Sequence, residues 1–156
     1  MALKLRSVSL NLPFGLGGFD IEVTESEVRA AWQLYVEFAT RVSAHPLAPG
    51  AGSVRDALTS LYSLFDITRQ VLRAAGPEVG EGPESLGPLA IRILNEGLRP
   101  FLVCWHTEVR RSEAASSGEE LSPERRSAFD EELEYLRQNL AVYVDALARI
   151  AGTVRS

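Results

Sequence analysis

The stretch FDEELEYLRQNLAVYVDALARI, residues 129–150, decides the fold. Phe129, Leu133, Leu136, Leu140, Tyr143, Leu147 and Ile150 recur at alternating steps of four and three, the spacing of an apolar seam along one side of a long α-helix. Just upstream, Ser122 is suited to cap exposed backbone N–H groups, and Pro123 and Glu124 fit a first helical turn. A helix with one greasy side needs partners, and the rest of the chain supplies them. In TESEVRAAWQLYVEFATRV, Thr24 and Glu27 have capping-box spacing, and Val28, Trp32, Tyr35, Ala39 and Val42 line one face of a helix running to about Ser43. A second helix is capped by Ser53, carries Leu58, Leu61, Phe65 and Leu72, and stops at Gly76 and Pro77. A third begins near Ser85 to Pro88 and continues through LAIRILNEGLRPFLVCWHTEVRR, apolar on several sides between Leu98 and Trp105. It fades into residues 112–121, whose polar composition predicts a mobile loop.

Ahead of the helices, Val8, Leu10 and Leu12, then Phe19, Ile21 and Val23, alternate about a turn rich in proline and glycine, which predicts a β-hairpin. Two strands alone are marginal in water, so the hairpin must pack on the helices or on a partner. The expected architecture is mainly α, one domain over residues 1–156: a hairpin at 1–23, then a four-helix up-down bundle over 24–155. The connection GPEVGEGPESLGP is long enough for a crossover instead. Trp32, Tyr35, Tyr62, Phe65 and Phe101 have seam-like spacing and are expected in the core, as is Cys104.

Composition narrows the function. The chain of 156 residues has net charge −5, 46% hydrophobic and 24% charged residues, a globular balance. Arginine outnumbers lysine heavily, the bias of a GC-rich genome. An acidic chain has no general attraction for phosphate backbones, so any nucleic-acid contact needs a local basic patch. There is no apolar run of the roughly 18 residues a membrane span requires and no signal-peptide core, which predicts a cytoplasmic address without membrane contact. One cysteine and two distant histidines offer no zinc spacing, so neither metal nor cofactor is expected. His45 is expected at a helix end. The carboxylates Glu119, Glu120, Glu124, Asp130, Glu131, Glu132 and Glu134 gather at the start of the last helix, where its dipole favours negative charge.

Within ILNEGLRPFLVCWHTEV, residues 93–109, Arg99 and His106 are seven positions apart and share a helix face about 10 Å along the axis. Arg92, Glu96 and Arg110 extend that polar stripe, Val103 interrupts it, and Pro100 predicts a kink able to turn Arg99 and His106 toward one point. The ordinary reading is a solvated face with helix-surface ion pairs. R-x6-H in a four-helix bundle also resembles the R-x4-6-H motif of the HEPN superfamily, although Pro100 stands where active members tend to carry a polar residue. That resemblance implies a metal-independent endoribonuclease, a dimer with His106 as general acid or base and Arg99 stabilising charge on the phosphate. N-E-x-x-R-P-F-L-x-x-W-H together with LPFGLGGF is similar to small helical proteins of high-GC bacteria in conflict-system neighbourhoods, which implies a defence setting. The turn lacks the spacings of phosphate-binding loops. Phe14 and Leu16 at its tip suit contact with a partner or with the bundle's own end.

The function expected from these features is a non-enzymatic interaction module, an adaptor or sensor that binds another protein, with homodimerisation open. Phe14, Leu16, Arg92, Glu96 and Arg110 are its candidate contacts. The alternative is the ribonuclease using Arg99 and His106, with RNA as partner in that case alone. A small-ligand sensor with a pocket between the helices would need an interior cavity with a few converging polar groups.

Overall fold

The computed structural model describes residues 4–42, 52–115 and 120–153. An antiparallel hairpin, β1 (Lys4–Leu12) and β2 (Gly17–Thr24), leads into α1 (Glu25–Val42) and α2 (Val54–Ala75). A short 3-10 turn (Pro77–Gly80), α3 (Leu86–Arg92), a π turn (Ile93–Leu98), α4 (Arg99–Ala114) and α5 (Pro123–Ala151) complete the chain. α3, the π turn and α4 follow one another without interruption, so four helical rods pack behind the hairpin, as the periodicity predicts.

Side-chain contacts set the arrangement. Residues Ser26 to Gln33 of α1 lie beside Val71 to Ala75 of α2. Tyr62 and Phe65 of α2 meet His106 and Arg99 of α4. Glu108 and Trp105 of α4 meet Arg125 and Phe129 of α5, and α1 closes on α5 where Phe38 meets Tyr143 edge to face at 5.0 Å. Neighbours in sequence are thus antiparallel neighbours in space, and the long second connection joins adjacent rods without crossing over.

The hairpin registers Val8 with Ile21 and Leu10 with Phe19, and its inward face of Val8, Leu10, Leu12, Ile21 and Val23 is buried, with β1 against α5. Arg6 donates to the carbonyl oxygens of Arg149 and Ile150, so a strand residue caps the C-terminal end of α5. The seam of α5 is buried as its spacing predicts, Leu133 only partly.

Glu27 ties the elements together. It is 1% exposed, and its carboxylate accepts the Thr24 N–H at 3.1 Å and, from 59 residues away in sequence, the Leu86 N–H at 2.9 Å. The Thr24 hydroxyl in turn accepts the Glu27 N–H, completing the capping box. One carboxylate therefore serves the first turns of both α1 and α3.

Several expectations are corrected. The inward face of α1 is Glu27, Ala31, Leu34 and Phe38 with Ala30, while Trp32 is 48% exposed and stacks on the half-buried Tyr35. The capping glutamate belongs to the buried seam, which rotates the apolar side away from Trp32. Tyr62 is 41% exposed and Cys104 is exposed, because α4 buries only the side carrying Leu102, Trp105 and Val109. The helix does touch two neighbours, α2 and α5, as its apolar character predicts, but Val103 and Cys104 lie on the exposed side. Residues 112–114 are helical, Glu113 pairs with Arg55, and Leu121 is buried, so the expected loop is shorter than 112–121. Glu120 sits on α2: its carboxylate accepts the Val54 and Arg55 N–H groups at 3.0 and 2.9 Å and the Ser53 hydroxyl at 3.0 Å. Burial pushes this carboxyl up, but those bonds and the nearby Arg126 hold it below the ordinary carboxylate range. Glu132 accepts the Trp105 indole N–H. His45, Glu119 and the loop positions 116–119 lie outside the described residues.

Two stability predictions follow from the core. Glu27→Ala strands the Leu86 and Thr24 donors and is expected to cost about 3 kcal/mol in urea unfolding, well above an exposed-site control such as Glu25→Ala. Tyr143 carries a buried hydroxyl without a hydrogen-bond partner among the described residues, and burial pushes its phenol above the ordinary range. Tyr143→Phe is expected to stabilise the fold by about 1 kcal/mol at neutral pH. The unfolded chain ionises near pH 10.0 while the folded chain holds its proton, so wild-type stability falls above that pH. The variant should lack this component of the alkaline loss.

Candidate functional site

The face shared by α2 and α4 gathers the polar residues that the bundle does not use for itself. On α2, Tyr62, Phe65, Arg69 and Arg73 follow helical steps of three and four, and on α4 Arg99, Val103, His106 and Arg110 do the same. Because the two helices are antiparallel, Tyr62 lies against His106 and Phe65 against Arg99.

Pro100 shapes this face. A proline inside an α-helix lacks the N–H owed to the carbonyl four residues back and crowds that carbonyl. Here the ladder slips by one residue before the proline: the Arg99 N–H donates to the Leu94 carbonyl, five residues back. The slip leaves Asn95 on the α2 side, where its Oδ1 accepts the Arg99 Nε–H at 3.2 Å. The guanidinium of Arg99 then lies over the Phe65 ring, 4.8 Å from its centroid. His106 meets Tyr62 edge to face at 6.2 Å. Arg99 and His106 thus face the same helix but take different partners there, and among the described residues no hydrogen bond joins them.

The remaining candidates separate. Arg92 pairs with Glu96 at 3.5 Å, both half-exposed, in the manner of a helix-surface ion pair. Arg110 is exposed on the Arg99 flank. Phe14 and Leu16 are partly buried against the core, held by the bundle itself. Phe14 has φ of 60°, a strained value for a residue with a side chain, and its N–H donates to Asn139 Oδ1 at 2.8 Å. Its ring fills the space that a side chain at Gly97 would occupy.

Beside Arg99 a cleft of about 400 Å³ opens between α2 and the α3 to α4 rod. Three arginines line it, Arg69, Arg73 and Arg99, and among the described residues no acidic one does. Arg69 also lies over the Phe65 ring, 6.0 Å from the centroid, so two cations flank one aromatic ring. Leu72, Ile91 and Leu94 give the cleft an apolar wall, and Thr68 also lines it; its buried hydroxyl has no hydrogen-bond partner among the described residues. Reading each helix separately passes over Arg69, Arg73 and Thr68. The signal that finds them is the antiparallel alignment of α2 with the arginine stripe of the next helix.

Gly97 is where the hairpin touches the rod that carries this cleft. A Cβ there would stand 2.2 Å from Phe14 Cε2, so Gly97→Ala must displace the hairpin tip. The expected cost is about 2 kcal/mol in denaturant unfolding, and Phe14→Ala/Gly97→Ala should recover part of it in a double-mutant cycle.

Among the described residues no helix is long and apolar enough to cross a membrane, and no group of three or more His, Cys, Asp or Glu side chains is placed to hold a metal ion. Comparison with known protein families, with curated proteins and with solved structures finds no match to this chain.

Proposed function

We propose that the chain is a non-enzymatic binding module, an adaptor or sensor, whose working surface is the α2 and α4 face and whose partner is a protein presenting acidic groups. One observation carries this reading. In a chain of net charge −5, Arg69, Arg73, Arg99 and Arg110 share one face, and none has a carboxylate within ion-pair distance among the described residues. Clustered like charges repel, and an acidic partner relieves that repulsion while speeding encounter. Tyr62, Ile91 and Val103 expose apolar surface among the arginines, and arginine and aromatic side chains are the residues that anchor protein interfaces. The bacterial conflict setting implied by sequence resemblance suits such an accessory module.

The ribonuclease alternative requires Arg99 and His106 to act on a single phosphate. The separate engagements of Arg99 with Asn95 and Phe65, and of His106 with Tyr62, favour binding over chemistry.

The test pairs recovery of partners from the native host with an RNA-cleavage assay. Wild-type protein is expected to retain a specific acidic partner that is released by salt, and Arg110→Glu combined with Tyr62→Ser should lower retention about tenfold or more. Equal retention by that variant would remove the α2 and α4 face as the working surface. RNA cleavage by the wild type that disappears in His106→Ala would replace the binding reading with the catalytic one.

A further inference from the structure

We infer that the cleft between α2 and the α3 to α4 rod is a binding site for a purine nucleoside phosphate, with the phosphate among the three arginines and the base against the apolar wall. The inference deepens the reading of the α2 and α4 face as the working surface and rests on it, but it concerns the cleft alone.

Four observations combine. First, the cleft's volume of about 400 Å³ falls within the range of small-molecule sites. Second, the guanidiniums of Arg69 and Arg99 are held on the same Phe65 ring, one from each helix, with Arg73 beside them and no acidic side chain in the lining. Three cations exceed what a single carboxylate balances. A phosphate monoester carries a charge of about −1.5 to −2 and presents oxygens in the fork geometry that guanidinium binds in pairs.

Third, Thr68 is 2% exposed, is one of the residues lining the cleft, and leaves its hydroxyl without a partner among the described residues, where the other buried polar side chains are nearly all paired. That hydroxyl is closed off in the unliganded fold, so a ligand oxygen would complete its hydrogen bond once the Thr68 side chain turns toward the cleft. Fourth, the side of the cleft formed by Leu72, Ile91 and Leu94 is apolar, and Asn95 stands beside it. Asn95 Oδ1 already accepts from Arg99, which fixes the amide's orientation and leaves its N–H pair and a second lone pair for a ring edge. A side-chain amide of this kind pairs with the N6 and N7 edge of adenine. A flat heterocycle with an attached phosphate answers all four features; inorganic phosphate or an unphosphorylated nucleoside answers only some of them.

The test is calorimetric titration of the full chain with adenosine monophosphate, guanosine monophosphate, adenosine, ribose 5-phosphate, inorganic phosphate and a glutamate-rich peptide. At least one nucleotide is expected to bind about tenfold or more tightly than ribose 5-phosphate or adenosine. Arg73→Gln and Thr68→Val should each weaken nucleotide binding about tenfold, the latter without lowering the melting temperature because it removes an unsatisfied hydroxyl. Arg29→Gln, in an exposed ion pair with Glu25 on α1 and outside the cleft, should leave nucleotide affinity unchanged. Absence of nucleotide binding at millimolar concentration, equal binding of ribose 5-phosphate, or indifference to both Arg73→Gln and Thr68→Val overturns the site. Peptide binding that survives such a result leaves the interaction surface standing, whereas loss of the nucleotide and peptide arms together removes both.

Discussion

A single buried carboxylate sets the frame on which the other elements hang. Removing Glu27 from water is costly unless every lone pair that matters is met by a donor. Three donors come from two places in the chain: the Thr24 backbone and hydroxyl at the end of β2, and the Leu86 backbone at the start of α3. The need to satisfy one charge thereby forces the strand, the first helix and the third rod into a fixed relation, although 59 residues separate Glu27 from Leu86 in sequence. The position of α3 fixes where α4 meets α2, and so where the arginine-bordered cleft opens.

The opposite end of the hairpin is tied by a different device with the same effect. Phe14 holds a left-handed backbone because Asn139 takes its N–H and because Gly97 leaves room for its ring. Gly97 stands inside the π turn that Pro100 imposes. Proline, glycine and the strained phenylalanine are each unfavourable in isolation. Together they are mutually consistent: the slipped ladder spares the carbonyl that proline would crowd, and the bare glycine seats the tip of the hairpin. The consequence reaches the functional face, since that slip also aligns Asn95 with Arg99.

What the sequence made legible follows from the kind of force involved. The four rods and the hairpin are written in apolar periodicity and local capping, which act over a few residues, and the seam of α5, the Ser53 and Ser122 caps and the strand alternation all fold as read. The inward side of α1 was harder, because Glu27 occupies a core position and an apolar count leaves it out. Counted as inward, Glu27, Ala31, Leu34 and Phe38 give the same steps of four and three as α5. Cys104 and Val103 misled for the reverse reason: apolar character does not show which side of a helix lacks a neighbour. The cleft depends on two helices facing each other, so Arg99 was visible from its stripe whereas Arg69, Arg73 and Thr68 acquire meaning only from α2's partner.

The charges separate folding from function most sharply. Along α1 and α5, arginines find acids one turn away, as Arg29 does with Glu25, Arg126 with Asp130, and Arg149 with Asp145. The arginines of the α2 and α4 face are placed otherwise. One turn from Arg69 stand Phe65 and Arg73; one turn from Arg99 stand Asn95 and Val103; one turn from Arg110 stand His106 and Ala114. The acids three positions away are committed elsewhere, Asp66 to Gln70, Glu96 to Arg92 and Glu113 to Arg55. Exposed pairs of this kind add little stability, so their absence costs the fold almost nothing. It does leave a field: in an acidic chain these cations have no ion-pair partner among the described residues, and two of them are set on one aromatic ring. A surface with that charge distribution gains most from a ligand or partner that brings negative charge to it.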